Sequence, residues 1–488
     1  MDASDLQEAL ADHLFHWGLR PFLSDREYER FQRDRLRPAD LHQLRLLSEA
    51  RQGDAIRSEA DLAFYEYAAQ PHIYPTLYSQ RFDYYLTVGT AMAERLGRAR
   101  RILDVGCGLG ILTTFYARCA PEAKIVGIDR SASSIEVARD HGARLGLNNC
   151  TFTCHDLDLT PMTERYDLIV ASQALLQSER DPGLPSESWR THARAHHSQS
   201  QRDFEQRTGI GDRLERLRQA LSEEGRGLFC EKVRHLGRRI GFQRALAARG
   251  WHPIAPPLAI RYLSVEDVTD DGPLFELSPY ATYPPALTWD ESPERTPDDA
   301  ILVHAGEAAE FAWHRLPLRE PVREISFKPP GLASGTIEWG DAGPLAYVYV
   351  TRHNGFRGLH VGPRSPSGLI QSTLAQALLE SAEDGGRVVE LLAQSFTKSD
   401  FSLPPTDALL YENHSAAAQD MYGSLKGRTP LQEQDQSGQD GRQLHIELGR
   451  TADFVYLYCA NTFDQRQIVL VEPARRHLVE QYYQELTG

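Results

Sequence analysis

An apolar strand pattern over Arg101–Val105 ends in an acid and runs straight into alternate glycines: Ile102-Leu-Asp104-Val-Gly106-Cys-Gly108-Leu-Gly110-Ile-Leu112. Glycines at the end of a buried strand let a ligand approach the backbone, and the helix expected over Leu109–Cys119 starts with free N–H groups. A loop that seats a pyrophosphate reads G-x-G-x-x-G. Here the spacing is D-x-G-x-G-x-G, one residue tighter at the third glycine. About twenty residues on, a second strand ends at Asp129, where a carboxylate can accept hydrogen bonds from both hydroxyls of a ribose. A third strand ends in Cys154-His155-Asp156-Leu-Asp158, and a fourth reads Tyr166-Asp-Leu-Ile-Val-Ala-Ser172.

These four elements, in this order, resemble class I S-adenosylmethionine-dependent methyltransferases over roughly residues 70–284. The resemblance implies an α/β fold, a doubly wound, seven-stranded and mostly parallel sheet. It places Asp104, Gly106, Gly108 and Gly110 beneath the methionine and ribose of S-adenosylmethionine, Asp129 on the ribose and Asp156 on the adenine amino group; Asp158 is the less favoured register. Ser172 stands where the fourth strand faces the transferred methyl. Arg81, ahead of the first strand, stands where relatives place a bidentate partner for the cofactor carboxylate. Tyr74 and Tyr78 are candidates to pack beside the sulfonium. The product is S-adenosylhomocysteine.

The acceptor is harder to read. The fourth strand lacks the Asn/Asp-Pro-Pro-Tyr/Phe motif of amino-methylating nucleic-acid enzymes and has Ser172-Gln173 in its place. Gly110-Ile-Leu resembles protein arginine methyltransferases, but their paired glutamates are missing; only Glu179 lies nearby. Methyl transfer asks the protein to align a nucleophile and take its proton. Candidate bases are His72, in the aromatic segment before the glycine loop, then Glu231 and His235 after the fifth strand. His155 reads as a packed strand-end histidine. His192, His196 and His197 read as a solvated basic stretch, because zinc would need a third ligand at motif spacing. The expected acceptor is a protein or a bulky metabolite. The other reading is a cofactor-binding scaffold whose C-terminal domain binds a partner.

The elements that must carry these residues follow from periodicity. Residues 1–95 read as a helical cap, with Pro71 and Pro75 expected to force turn or extended geometry. Residues 96–284 alternate strand and helix, and an excess of chain at about 177–200 reads as an inserted loop or lid. Strands near Leu258–Val265 and Leu274–Tyr280 are expected to pair as a hairpin through Asp270-Asp-Gly. A Pro-rich linker at 285–299 leads to an α+β domain over 300–488. That domain has strands near Val322–Phe327, Leu345–Val350, Gln443–Leu448 and Val455–Cys459, and helices at Leu369–Ala382 and Ala474–Leu486. Gln432–Gly441 reads as a flexible loop, Tyr411–Ser415 and Arg352–Arg357 as turns, and no internal repeat is evident.

Bulk properties bound the rest. The chain has 488 residues, a net charge of −15 and 25% charged residues, the profile of a globular protein. The acidity argues against nucleic acid as partner, although Glu187–Arg249 is locally basic, with 14 Lys and Arg against 8 Asp and Glu. No apolar run is long enough to span a bilayer and no secretory leader is visible. Six scattered cysteines fit reduced thiols in a cytoplasm. An accessory domain of this size serves macromolecular acceptors or a homodimer.

Overall fold

The computed structural model describes residues 3–51, 59–176, 181–196, 198–265, 267–280, 287–293, 302–316, 319–327, 334–353, 355–364, 409–438 and 442–487. The chain forms two compact units. One comprises residues 1–184 and 196–291, the other 185–195 and 292–488.

The first unit opens with α1 (Ala3–His16), α2 (Asp25–Arg35), α3 (Pro38–Ala50), α4 (Glu59–Ala68), α5 (Tyr74–Ser79) and α6 (Phe82–Ala93). Leu10 and Leu14, four apart on one face of α1, bury with Trp17 against Val88 and Met92 of α6. Pro75 does not interrupt the aromatic segment. It occupies the first turn of α5, where a missing N–H costs nothing.

Next come β1 (Arg101–Val105), α7 (Ile111–Cys119), β2 (Lys124–Asp129), α8 (Ala132–Arg144), β3 (Cys150–Cys154) and β4 (Tyr166–Ser172). They are followed by α9 (Ser198–Thr208), α10 (Ile210–Gln219), β5 (Leu221–Cys230), α11 (Leu236–Ala248), β6 (His252–Pro253), β7 (Tyr262–Ser264), β8 (Asp267–Thr269) and β9 (Leu274–Ser278). Ser131 caps α8, its hydroxyl accepting from the Ser134 N–H. Seven strands form one sheet in the order β3-β2-β1-β4-β5-β9-β6, with β3 through β5 parallel and β9 antiparallel to β5 and β6. The apolar faces of β1 and β4 lie buried between the helical layers. The strand order reverses between β1 and β4, and a sheet of this kind has its ligand crevice beyond the carboxyl ends of the strands at that point. The expected hairpin is different: β7 pairs with β8 outside the main sheet, and only a single bridge, Leu258 to Leu274, joins the two stretches.

The second unit contains β10 (Leu302–Ala305), α12 (Glu307–Arg315), β11 (Arg319–Phe327), β12 (Gly335–Ala342), β13 (Leu345–Arg352) and β14 (Arg357–Pro363). It continues with β15 (Tyr411–His414), α13 (Ser415–Ser424), β16 (Thr429–Ser437), β17 (Gln443–Arg450), β18 (Val455–Asn461), β19 (Arg466–Val471) and α14 (Arg476–Thr487). The two antiparallel sheets, β10-β14-β13-β12-β11 and β15-β19-β18-β17-β16, have the same connectivity. This is an internal repeat, contrary to the reading from sequence, and residues correspond at a constant spacing of 109, as in Glu338 and Glu447. Tyr347 and Tyr456 correspond, as do Tyr349 and Tyr458, and Arg357 and Arg466. Gly306 and Ser415, each beginning a helix at positive φ, correspond too (φ 62° and 51°), and both edge strands shift register just after a matching proline, Pro321 and Pro430. Pairwise periodicity hid the repeat because its matches are scattered among substitutions such as Trp313 for Tyr422.

Two further expectations change here. Gln432–Ser437 belongs to β16, an exposed edge strand paired to β17, and Tyr411–His414 is β15. Arg352–Arg357 does form the turn between β13 and β14. The helix expected at Leu369–Ala382 lies outside the described residues.

Part of the inserted stretch belongs to the second unit. Residues 185–195 pack within the second unit as an extended strap against the second repeat. Trp189 stacks on His445 with ring centroids 3.8 Å apart and planes 2° from parallel. Arg466 donates to the carbonyls of Trp189 and Thr191 at 3.3 and 2.6 Å, and Gln419 donates to that of Arg190 at 2.7 Å. His192 and Arg194 both pair with Asp464, so this part of the basic stretch is tied down, while His196 is exposed and His197 lies outside the described residues. Removing a buried tryptophan costs about 3–5 kcal/mol. Trp189→Ala should therefore lower the hydrogen-exchange protection of β17 and β18 by several kcal/mol while leaving β1 and β4 unchanged. Equal loss in both units would show that the strap does not belong to the second.

Candidate active site

The glycine loop lies where β1 ends. Gly106 and Cys107 donate to the Ile128 carbonyl at 2.8 and 3.0 Å, which seats the loop beside β2. Gly106, Gly108 and Gly110 all have positive φ (69°, 52° and 78°). A Cβ on Gly106 would stand 2.3 Å from Cβ of Ala174, just past β4, and one on Gly110 would meet Phe152 at 2.8 Å. Gly108 is different: nothing lies within 4 Å of its Cβ position. Its backbone faces open space, as a ligand-covering loop requires.

The strand-end acids separate by what they hold. Asp129 accepts from the Gly108 N–H at 3.0 Å through one oxygen and from the Ser131 N–H at 2.8 Å through the other. Each oxygen keeps a second lone pair, the arrangement a vicinal diol needs. Asp158 is engaged by a bidentate bond from Arg213 at 2.8 and 2.5 Å. Asp156 accepts only the local N–H of Asp158 among the described contacts, so the two registers open in the sequence divide into a structural aspartate and an available one. Asp104 is buried and accepts from the Thr113 hydroxyl at 2.6 Å. Burial raises its pKa to about 7 against the pull of that bond, and the Asp129 charge adds to the rise.

At the end of β4 a polar cluster comes together that sequence reading had only in pieces. Gln173 takes positive φ (55°), a strained turn for this residue type. Its amide oxygen accepts from Arg81 at 2.7 Å and its amide nitrogen donates to Asp271 at 2.5 Å. Tyr262 donates to the same Asp271 oxygen at 2.5 Å, and Tyr84 shares a short hydrogen bond with Ser172. Arg81 lies 4.0 Å above the Tyr84 ring. Tyr78 is half-buried, its ring 6.5 Å from that of Tyr85, over which Arg81 also stands at 5.8 Å, which places it in the same roof. Arg81, Ser172 and Tyr78 thus lie together at the end of β4. Gln173 had been noted only for what it replaces, Asp271 only as a turn residue, and Tyr84 and Tyr262 not at all.

The candidate bases do not meet there. Glu231 is fully buried and accepts from the N–H groups of Ala174, Leu175 and Leu176 at 3.0, 3.0 and 3.2 Å. It is a backbone clamp, taking two of these N–H groups through one oxygen and the third through the other. His72 is on an exposed turn, its Nε2 3.5 Å from Asp40 of α3. His235 is an exposed residue at the N-cap of α11, without a side-chain cap bond. Tyr74 bonds His141 at 2.8 Å and packs on Trp17, away from the roof. His155, half-buried just past β3, bonds the Thr160 carbonyl at 3.1 Å. Among the described residues no cluster of three metal-ligating side chains occurs.

A sheet of this order, with a glycine loop at the switch point and acids closing β1, β2 and β3, defines a class I S-adenosylmethionine-dependent methyltransferase domain. Residues 96–205 match a family described as a methyltransferase domain. The chain is 35% identical over 113 residues to malonyl-[acyl-carrier protein] O-methyltransferase of Acetivibrio thermocellus, covering 22% of this chain and 38% of that one. It is 33% identical over 106 residues to release factor glutamine methyltransferase of Bordetella pertussis (22% and 39%). It is 36% identical over 86 residues to ubiquinone biosynthesis O-methyltransferase of Coxiella burnetii (17% and 35%). The chain thus spans under two-fifths of the length of each of these relatives. S-adenosylmethionine is the cofactor of such a domain, and the residues present fit it: Gly108 leaves room for its body, Asp129 retains lone pairs for its ribose hydroxyls and Asp156 remains available for an amino group.

Two outcomes test this arrangement. Because burial raises the Asp104 pKa from 3.8 to about 7, folding takes up a proton between those values, and ligand-free stability falls as pH rises through that window. The melting temperature of ligand-free protein should drop from pH 5 to pH 8, and Asp104→Asn should flatten the slope; an unchanged slope contradicts the assignment. Glu231→Gln sets an amide N–H against backbone N–H groups and should cost about 1–3 kcal/mol in denaturant unfolding. A variant of wild-type stability would mean the clamp is not formed.

Proposed function

We propose that the protein transfers a methyl group from S-adenosylmethionine to a protein or a bulky metabolite presented at the ends of β4 and β5. The observation that carries this reading is the cluster at the end of β4, where Arg81, Gln173, Tyr262 and Asp271 converge beside an open glycine loop. A scaffold that merely kept the fold has no need of such a cluster.

S-adenosylmethionine supplies a methyl already activated by its sulfonium, so the chain has to bind, orient and deprotonate. Asp129 accepts from the ribose, Asp156 from the adenine amino group, and Arg81 binds the cofactor carboxylate as a planar donor. Tyr78 and Tyr84 exclude water from the methyl-bearing end and favour positive charge there. Asp271, oriented by Gln173 and Tyr262, takes the acceptor proton in place of His72, Glu231 and His235. A guanidinium acceptor is disfavoured, since Glu231 is committed to backbone. All six cysteines are free, which supports work in a reducing cytoplasm. Among the described residues no helix is long and apolar enough to cross a membrane.

The test is S-adenosylhomocysteine production with cell extract as acceptor, alongside calorimetric titration of the cofactor. Asp129→Ala should weaken cofactor binding roughly ten- to hundredfold, the loss of about 1.5–3 kcal/mol of charge-assisted hydrogen bonding. Asp271→Asn should leave binding within about threefold and abolish most turnover. Tight cofactor binding without turnover in any fraction of extract would favour the scaffold reading. Failure of wild-type protein to bind at millimolar cofactor would remove the proposal.

A further inference from the structure

The internal repeat of the second unit shows one groove filled and its counterpart, among the described residues, bare. In the second repeat, the strap lies on the helix-bearing face of the sheet, beside α13. Its Trp189 covers His445, and Arg466 beneath its carbonyls has a side chain 0% exposed. The groove walls recur in the first repeat. Trp313 stacks on Tyr349 with centroids 4.7 Å apart, as Tyr422 stacks on Tyr458 at 3.9 Å. Arg319 covers Trp313 at 3.7 Å, as Arg428 covers Tyr422 at 3.8 Å. Glu338 accepts from Trp313 and Tyr347, as Glu447 accepts from Tyr422 and Tyr456.

What differs is the floor under the strap. Thr336 stands where His445 receives the tryptophan, and it is half-buried where His445 is buried. Arg357, the counterpart of Arg466, is 36% exposed and pairs at 2.9 Å with Glu310, the counterpart of Gln419. So the two groups that grip the strap backbone in one repeat grip each other in the other.

We propose that this face of the first repeat, over Thr336 and Glu338 between α12 and β11, is a docking groove for an extended basic segment of a partner protein that carries an aromatic residue. The mode of binding is the one the strap displays: an aromatic ring over the β12 floor and backbone carbonyls on Arg357. The basic character follows from the exposed Glu324 on β11 and from Glu310, which replaces the neutral donor Gln419; docking exchanges the Glu310–Arg357 pair for a Lys or Arg of the segment on Glu310 and its carbonyls on Arg357. A carboxylate beside the peptide path repels a carbonyl and attracts Lys or Arg. The smaller Thr336 leaves room for a large ring where the second repeat has an imidazole. The strap is held by the second repeat and is not this occupant.

The probe is a labelled 13-residue peptide with the sequence of residues 184–196, with Trp, two Arg and two His. It is titrated into the full chain by fluorescence anisotropy. Saturable binding is expected, weakened at least about tenfold by Trp→Ala in the peptide and by Thr336→Trp or Glu310→Arg in the protein. Both protein substitutions are at partly exposed positions, and unchanged melting temperatures establish that each variant folds. Hydrogen exchange should show new protection in β11, β12 and α12. Binding that survives both protein substitutions overturns the proposal. So does the absence of binding at 1 mM from this peptide and from a panel of Arg-rich 13-mers with a central Trp, Tyr or Phe. Protection of β12 in free protein equal to that of β17 would mean that other residues of this chain fill the groove. Dimerisation lost on Thr336→Trp would assign it to a second copy.

Discussion

One buried carboxylate organises the cofactor end of the sheet. Glu231 leaves β5 and takes the three successive N–H groups of Ala174, Leu175 and Leu176, which would otherwise be orphaned where β4 stops. The charge is tolerable because those donors, with Arg213 nearby, oppose the burial that raises its pKa. The clamp has two consequences. It presses Ala174 against the glycine loop so closely that only glycine fits at 106, and it forces Gln173 into a left-handed turn. That turn aims the Gln173 amide at Arg81 on one side and Asp271 on the other. Geometry at the end of β4 is thus set by a residue whose own oxygens accept from backbone.

The parts of the site made by single strands were legible in the sequence. Asp104, the three glycines and Asp129 each sit at a strand end that periodicity locates, and the parallel sheet places strand ends at the crevice. The residues that were not legible come together through tertiary structure. Glu231 has the spacing of a catalytic acid and differs from one only in what its oxygens accept. Asp271 has the local sequence of a turn, and its role depends on Gln173 and Tyr262 reaching it from other elements. His72 belongs to the aromatic segment but is exposed on a turn, a distinction that the spacing of the aromatics does not reveal.

The second unit carries a different lesson. Its repeat is a matter of geometry first, with Glu338 and Glu447, Tyr347 and Tyr456, and Arg357 and Arg466 keeping equivalent places while much of the surrounding surface changes. The strap read as surplus chain between β4 and β5 because nothing local marks its destination. Its fate is decided by His445 and Arg466, more than two hundred residues further on. A segment that is polar, Pro-flanked and rich in Arg and His looks solvated until its partners are known.

Hydrogen exchange of the full chain with and without S-adenosylhomocysteine most directly tests the central claim, that the Glu231-clamped strand ends form the cofactor site. The account predicts new protection confined to residues 104–110, 128–131, 155–158 and 172–176, with none in the second unit. Protection elsewhere, with those four segments unchanged at saturating ligand, would contradict it.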